Sequence, residues 1–336
     1  MGLLDFLLGS PKKPHIETAQ KRQRSGSDPM VSYIGDSLII VKSIRFSGLF
    51  RRSQSGEWII CWSDADEEQH RGGHRESGYG RYVLYNAVKN TVAVQGRLER
   101  PNSGHVANNG CFSIEDWHFG SNLSGTFHVF SSIGNETIRK KLNSNILNSG
   151  ISDRGKFAIC QTANNPNSAD GNMLFGFDVE KSGELFSVHP KTEWANRYEF
   201  IEDTAHFVVV IKDIGKFRYD AQGHFIDIGN YDSAKLNCNR FEVVLFAAEE
   251  LLKDPQLDQK RAQAALAAAL RARSLGADND RNWKAVALKI QGLANEALGN
   301  NNEALSAFVE ALKINQKIGV KRKADALRKK QESRES

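Results

Sequence analysis

The sequence predicts a two-part protein, an all-β region followed by an all-helical one. From Ser32 to Ile228 the chain is rich in Gly, Asn, Ser and aromatics, in short alternating runs with no long helical period, which is how strands joined by turns read. From Glu242 to Glu332 the character reverses to Ala, Leu, Glu, Lys and Arg with apolar residues three and four apart, the spacing of helices with one buried face. A chain of 336 residues, 40% hydrophobic and 25% charged, is long enough for two domains and a sizeable core. The expected divisions are an apolar stub with a basic linker over 1–30, a β domain over 31–240 and a helical domain over 241–333.

The stub, Gly2 to Leu8, places Leu4, Phe6, Leu7 and Leu8 together and reads either as a docking peptide for an apolar groove or as a frayed terminus. Phe6 stands where a myristoylation motif needs a hydroxyl, so docking of this stub is the one route to a membrane surface. No apolar run approaches the roughly 18 residues that span a bilayer, and the start lacks a secretory signal's basic region. The expected location is cytoplasmic. The cysteines Cys61, Cys111, Cys160 and Cys238 have no CxxC spacing, which argues for reduced thiols rather than a disulfide scaffold or zinc ribbon.

Four segments of the β region align with one another. Gly56 to Cys61, Gly110 to Glu115, Gly155 to Cys160 and Ala205 to Val210 share a small turn residue, an aromatic two places on and an apolar residue two places after that. Alternate strand residues share a face, so the aromatic and its companion should pack into one core layer. Each segment is preceded by an extended run and followed by two further strands, the last of them at Thr91 to Val94, Thr137 to Lys140, Glu184 to Val188 and His224 to Ile228. The unit is a four-stranded antiparallel meander, and Ser37 to Lys42 and Phe241 to Leu245 are candidates for a partial fifth unit or a closing strand.

Such a unit resembles one blade of a β-propeller of the WD40-like or bacterial kind, with Ser-x-x-Gly turns at Ser53 to Gly56 and Ser152 to Gly155. The resemblance covers Arg45 to Gly229 and implies four blades, five if the extra strands complete one, with a β-sandwich or a large twisted meander as the competing arrangement. In the helical region Gly292, Gly299, Ala304, Phe308 and Ala311 resemble one tetratricopeptide repeat, where small residues let two helices approach and an aromatic fills the gap. Asn301 and Gln316 depart from that pattern. Helices are expected over 246–252, 258–274, 280–298, 301–317 and 321–332, with Asp280 and Asn301 as caps and Gly276 and Gly299 as stops.

Chemistry-bearing patterns are sparse. His70 and His74 share a polar acidic loop and form the one metal-binding candidate; a solvated charged loop is the plainer reading. His105, Asp116 and His118 form an alternative acid–base set for a hydrolytic or small-molecule-binding propeller with a central cleft. No nucleophile elbow, phosphate loop or zinc-protease motif is present. The net charge of +5 is too mild to imply nucleic acid, and the basic residues of the last helix and of the linker carry no interleaved aromatics.

Loop length gives the better clue. Long loops at 63–80, 117–125 and 162–172, and stretches between units at 100–105 and 190–197, should emerge on one face, carrying Trp117, His118, Phe119, Asn164, Asn165 and Trp194. Exposed aromatics among adaptable polar residues suit recognition of a partner. The expected function is a non-enzymatic adaptor for protein partners, without a cofactor, joining a propeller loop face to a tetratricopeptide-like groove.

Overall fold

The computed structural model describes residues 30–66, 68, 71–73, 75–120 and 123–335. The β region forms four consecutive antiparallel sheets. The first has six strands in chain order: β1 (Val31–Ile34), β2 (Leu38–Val41), β3 (Phe46–Arg52), β4 (Trp58–Ser63), β5 (Gly80–Asn86) and β6 (Thr91–Leu98). The second runs β7 (Pro101–Val106), β8 (Phe112–Trp117), β9 (Gly125–Phe130) and β10 (Glu136–Leu142), and the third β11 (Ile146–Ile151), β12 (Phe157–Thr162), β13 (Leu174–Asp178) and β14 (Gly183–Val188). The fourth has three strands, β15 (Arg197–Ile201), β16 (His206–Ile211) and β17 (Gly215–Tyr219).

The sheets stack face to face in sequence order through apolar clusters. Ile60, Trp62 and Leu84 meet Phe112, Ile114 and Phe130 of the second sheet. Phe127, Val129 and Leu142 then meet Cys160, Phe175 and Phe177 of the third, whose opposite face carries Phe157, Ile159 and Phe186 against Phe207, Val209 and Phe217 of the fourth. The leading strands converge, with β7 against β3 and β4, β11 against β7 and β8, and β15 against β11. Consecutive meanders packed on both faces around converging leading strands make the region propeller-like.

The two ends of the stack differ. The outer face of the first sheet is apolar, with Ile59, Cys61, Val83 and Tyr85 clustered with Ile39 and Val41 of β2. The outer face of the fourth sheet carries Lys216 bridging to Glu199, which Arg197 also contacts, over the buried Val208 and Val210.

The repeat seen in the sequence is real in its turns and shifted in its faces. Gly56, Gly110, Gly155 and Ala205 all have positive φ, at 74°, 83°, 75° and 51°, and each donates its N–H to the carbonyl three residues back. The strand resumes at different points, however. Trp58 and Phe157, two residues past the turn glycine, form the first ladder contact with Ser53 and Ser152, whereas in the second and fourth sheets pairing resumes one residue earlier, at Cys111 with Ala107 and at His206 with Ile201. One residue of slip reverses the face of every later side chain. Trp58 and Phe157 therefore point to the following sheet, while Phe112 and Phe207 point to the preceding one.

Three sequence expectations need correction. His224 to Ile228 is not a strand: only an isolated bridge joins Tyr219 to Phe225, and the chain enters α1 (Ile228–Asn237), a helix the sequence reading did not anticipate. Tyr231 of α1 packs on Phe217 and Phe225, which takes the place of an outer strand. Phe241 to Leu245 is the start of α2 (Phe241–Lys253), not part of a fifth unit. Residues 101–105 lie in β7 itself rather than in a loop.

The remaining helices are α3 (Gln259–Ser274), α4 (Arg281–Ala297), α5 (Asn301–Ile314) and α6 (Lys321–Glu335), each packed on its chain neighbour. Asp280 caps α4 by accepting from the N–H groups of Asn282 and Trp283, and Asp258 caps α3 through Arg261 N–H. Asn300, not Asn301, stands at the start of α5, and its side chain makes no capping bond. No helix among the described residues is long and apolar enough to cross a membrane.

Candidate functional site

β3 of the first sheet and the leading strands of the other three line one cavity of about 580 Å³. Arg51 comes from β3, Ser103 and His105 from β7, Glu115 and Trp117 from β8, Asn148 and Ser149 from β11, and Tyr198 from β15. A second groove of about 820 Å³ opens beside it between the loops of the third and fourth sheets, and the two share Leu147, Asn148 and Asn196. Trp194 lines this outer groove with half of its surface exposed, together with Asn164, Asn172 and Arg240 from the entry to α2. Arg240 is held there by Glu193 and Glu242.

Polar rungs tie the second strand of one sheet to the leading strand of the next. Ser149 donates to Glu115 at 2.6 Å. At the corresponding place in the third sheet, Gln161 accepts from Tyr198 at 3.1 Å and from the backbone of Ala195. Counting from the resumed pairing, Glu115 and Gln161 are equivalent, as are Trp62 and Val210. Buried carboxyl and amide groups at such positions need these partners.

Burial pushes the Glu115 carboxyl up to about 7, against smaller opposing effects from the Ser149 hydroxyl and the charge of Arg51. His105 is pushed down to about 3, first by burial and then by Arg51, so its ring is neutral and accepts from the guanidinium at 3.0 Å. Tyr198 is raised well above its ordinary range by burial, with Glu115 adding to the effect.

The structure separates most of the residues singled out in the sequence. Trp194 and Asn164 share the outer groove, Trp117 lines the first cavity, between the leading strands, and Asn165 lines a third groove of about 630 Å³ between the second and third sheets. His118 bonds to the hydroxyls of Ser124 and Thr126, and Phe119 lies under the Arg75 guanidinium. In the alternative acid–base set, His105 shares a sheet face with Glu115, while Asp116 lies on the opposite face beside His128. His70 and His74 lie outside the described residues, and no group of three metal-ligating side chains occurs among the described ones. Gly292 touches the Phe308 ring so closely that a Cβ would stand 2.4 Å from it, Ala304 and Ala311 are fully buried, and Gly299 ends α4 with φ of 81°. All four cysteines are free, and burial raises Cys61 to about 12.

Arg51, Glu115, Asn148 and Tyr198 were not singled out by the sequence. One signal was there for Glu115: it ends a repeated segment where the others have Cys61, Cys160 and Val210.

No protein-family profile matches the sequence, and no curated protein does. Among solved structures it is similar to the β-propeller domain of Cps50 (Swd1) from Myceliophteria thermophila, at 8% identity and TM-score 0.34 over 50% of this chain and 49% of that one. It is also similar to BamB from Moraxella catarrhalis, at 14% identity and TM-score 0.34 over 53% and 46% of the two chains. The C-terminal WD40 domain of Sif2 gives 13% identity and TM-score 0.32 over 52% and 44%. The match thus spans about half the length of these chains. Overlaps this small decide neither function nor blade number, and the architecture rests on the sheet order and the clusters between sheets.

Proposed function

We propose that this chain is a non-enzymatic interaction protein that receives an extended segment of a partner protein in the groove beside Trp194. The reading takes the four sheets as four blades with β3, β7, β11 and β15 as their inner strands. It takes 31–240 as the recognition domain and 241–333 as a tetratricopeptide-like scaffold beside it. The observation that carries it is Trp194, an indole left half exposed at the mouth of a groove lined by Asn148, Asn164, Asn172 and Asn196. Indoles surrounded by adaptable amides are what dominate binding energy at protein interfaces.

The test is affinity purification with the wild-type chain and with Trp194→Ala, followed by titration of the purified partner against both. Binding should weaken at least about thirtyfold, in line with the roughly 2 kcal/mol or more of an interfacial hot spot, while the thermal midpoint stays unchanged. Equal affinity in the two chains sinks the proposal.

A further inference from the structure

We infer that the cavity between the leading strands is a binding site for a carboxylate monoanion with a compact apolar body, and that its occupancy is coupled to a proton on Glu115. The site adjoins the Trp194 groove, sharing Leu147, Asn148 and Asn196 with it, and is set apart by Arg51 and Glu115, which that groove lacks.

The geometry starts with Arg51. Its guanidinium opens onto the cavity and contacts the His105 ring. No carboxylate of the described residues forms an ion pair with it, although guanidinium groups stay charged and match carboxylates in a two-toothed fork. The ring it touches is neutral, and the one carboxyl of the cavity, Glu115, acts on the exposed guanidinium through space without a direct ion pair. Around it stand the hydroxyl of Ser103, the amides of Asn102 and Asn148, and apolar surface from Leu147, Ile151 and Trp117. The concavity brings these polar groups to one place, as small-molecule sites do, with a larger polar share than is usual there.

Glu115 decides the charge class of the ligand. It is buried at 3% exposure and lines the same cavity. The groups acting on it are Ser149 from β11 and Arg51 from β3, while Cys160 of β12 and Tyr198 of β15 are within its electrostatic reach; His105 and Ser103 share its sheet face from β7, and Arg197 of β15, the second guanidinium of the lining, is already paired with Glu199. A phosphate dianion would face Glu115 with two charges. A monocarboxylate instead can share the Glu115 proton while Arg51 neutralises it, since two adjacent carboxyls readily hold one proton between them.

The sign follows. An incoming anion raises the affinity of Glu115 for its proton, so binding takes up a proton and weakens as pH rises through the neutral range. Between pH 6 and pH 9 the loss should be about tenfold for each unit by which the ligand raises the Glu115 titration.

Titration calorimetry of the full chain with benzoate, benzamide and inorganic phosphate tests this, with buffers of different ionisation enthalpy reporting proton uptake. Benzoate should bind with proton uptake and tighter than either competitor. Arg51→Gln should weaken it at least tenfold and Arg51→Lys less, whereas Glu115→Gln, which keeps an acceptor for Ser149, should bind benzoate with a flat pH profile. A hexapeptide with a free C-terminus, set against its amidated form, identifies the source: tighter binding of the free acid than of benzoate assigns the site to a carboxylate carried by a chain, and the reverse assigns it to a free acid. Equal binding of benzoate and benzamide, no benzoate binding, or a pH dependence that survives Glu115→Gln overturns the inference.

Discussion

The β region and the helical region fill their interiors with side chains of opposite size. Between sheets the core is built from rings: Phe112 stacks on Phe130 at 5.0 Å and meets Tyr82 at a tilt at 5.8 Å, and Phe207 meets Phe157, Phe186 and Phe200. Between helices α2, α3 and α4 the core is built largely from alanine methyls, with Ala248, Ala265, Ala269, Ala272, Ala287 and Ala294 fully buried beside the aliphatic Val244, Leu245 and Ile290. Sheets packed face to face stand about 10 Å apart and need large side chains to bridge the gap, whereas helices whose contact residues are small approach to the short end of the 8–10 Å range. The difference teaches where each half is fragile: the sheets to loss of volume, the helices to gain of it.

The largest expected effect tests the first half of that statement. Phe112→Ala removes a fully buried ring from the interface of the first two sheets and should cost about 3–5 kcal/mol, read as a fall in the urea midpoint with the β signal lost first. A cost under about 1 kcal/mol would mean that the neighbouring rings collapse into the space and that the wedge is not needed.

Ala269→Leu tests the other half. Ala269 is fully buried in the helical cluster, and the added methylenes have no free volume, so the expected cost is about 1–3 kcal/mol. The same exchange at a half-exposed helix position should be neutral. A stabilised Ala269→Leu chain would show that the helical array is loosely packed and that its alanines reflect helix propensity alone.

How much of this could be read in the sequence divides along the same line. The helical region announces itself residue by residue, because helix spacing, the Asp280 cap and the close pair of Gly292 with Phe308 are all local features. The β region discloses its units but not their phase. Sequence spacing aligned Phe112 with Trp58, and the faces they occupy differ because the turn before Cys111 closes one residue sooner. A count along the chain cannot see where a ladder resumes. For the same reason the first cavity was hidden: Arg51, Glu115, Ser149 and Tyr198 come from four sheets, and only the convergence of leading strands joins them. α1 escaped notice because its polar sequence, Ile228 to Asn237, has almost no amphipathic period and is ordered by Tyr231 docking on the fourth sheet.

The smallest expected effect bears on the one feature all four units share, the left-handed residue that closes the turn. At Gly56 an added Cβ would meet open space, so Gly56→Ala should lose about 1 kcal/mol through backbone conformation alone. Ala205 holds the same conformation, at φ of 51°, with a Cβ already present. Ala205→Gly relieves that strain while adding freedom to the unfolded chain, effects of about 1–2 and 0.4–1 kcal/mol respectively, so a net gain of up to about 1.6 kcal/mol is expected in chemical denaturation. The two substitutions are mirror images, and their opposite signs follow only if the turns are equivalent. Should both destabilise, the fourth turn owes its shape to Glu202 and its surroundings rather than to the repeat.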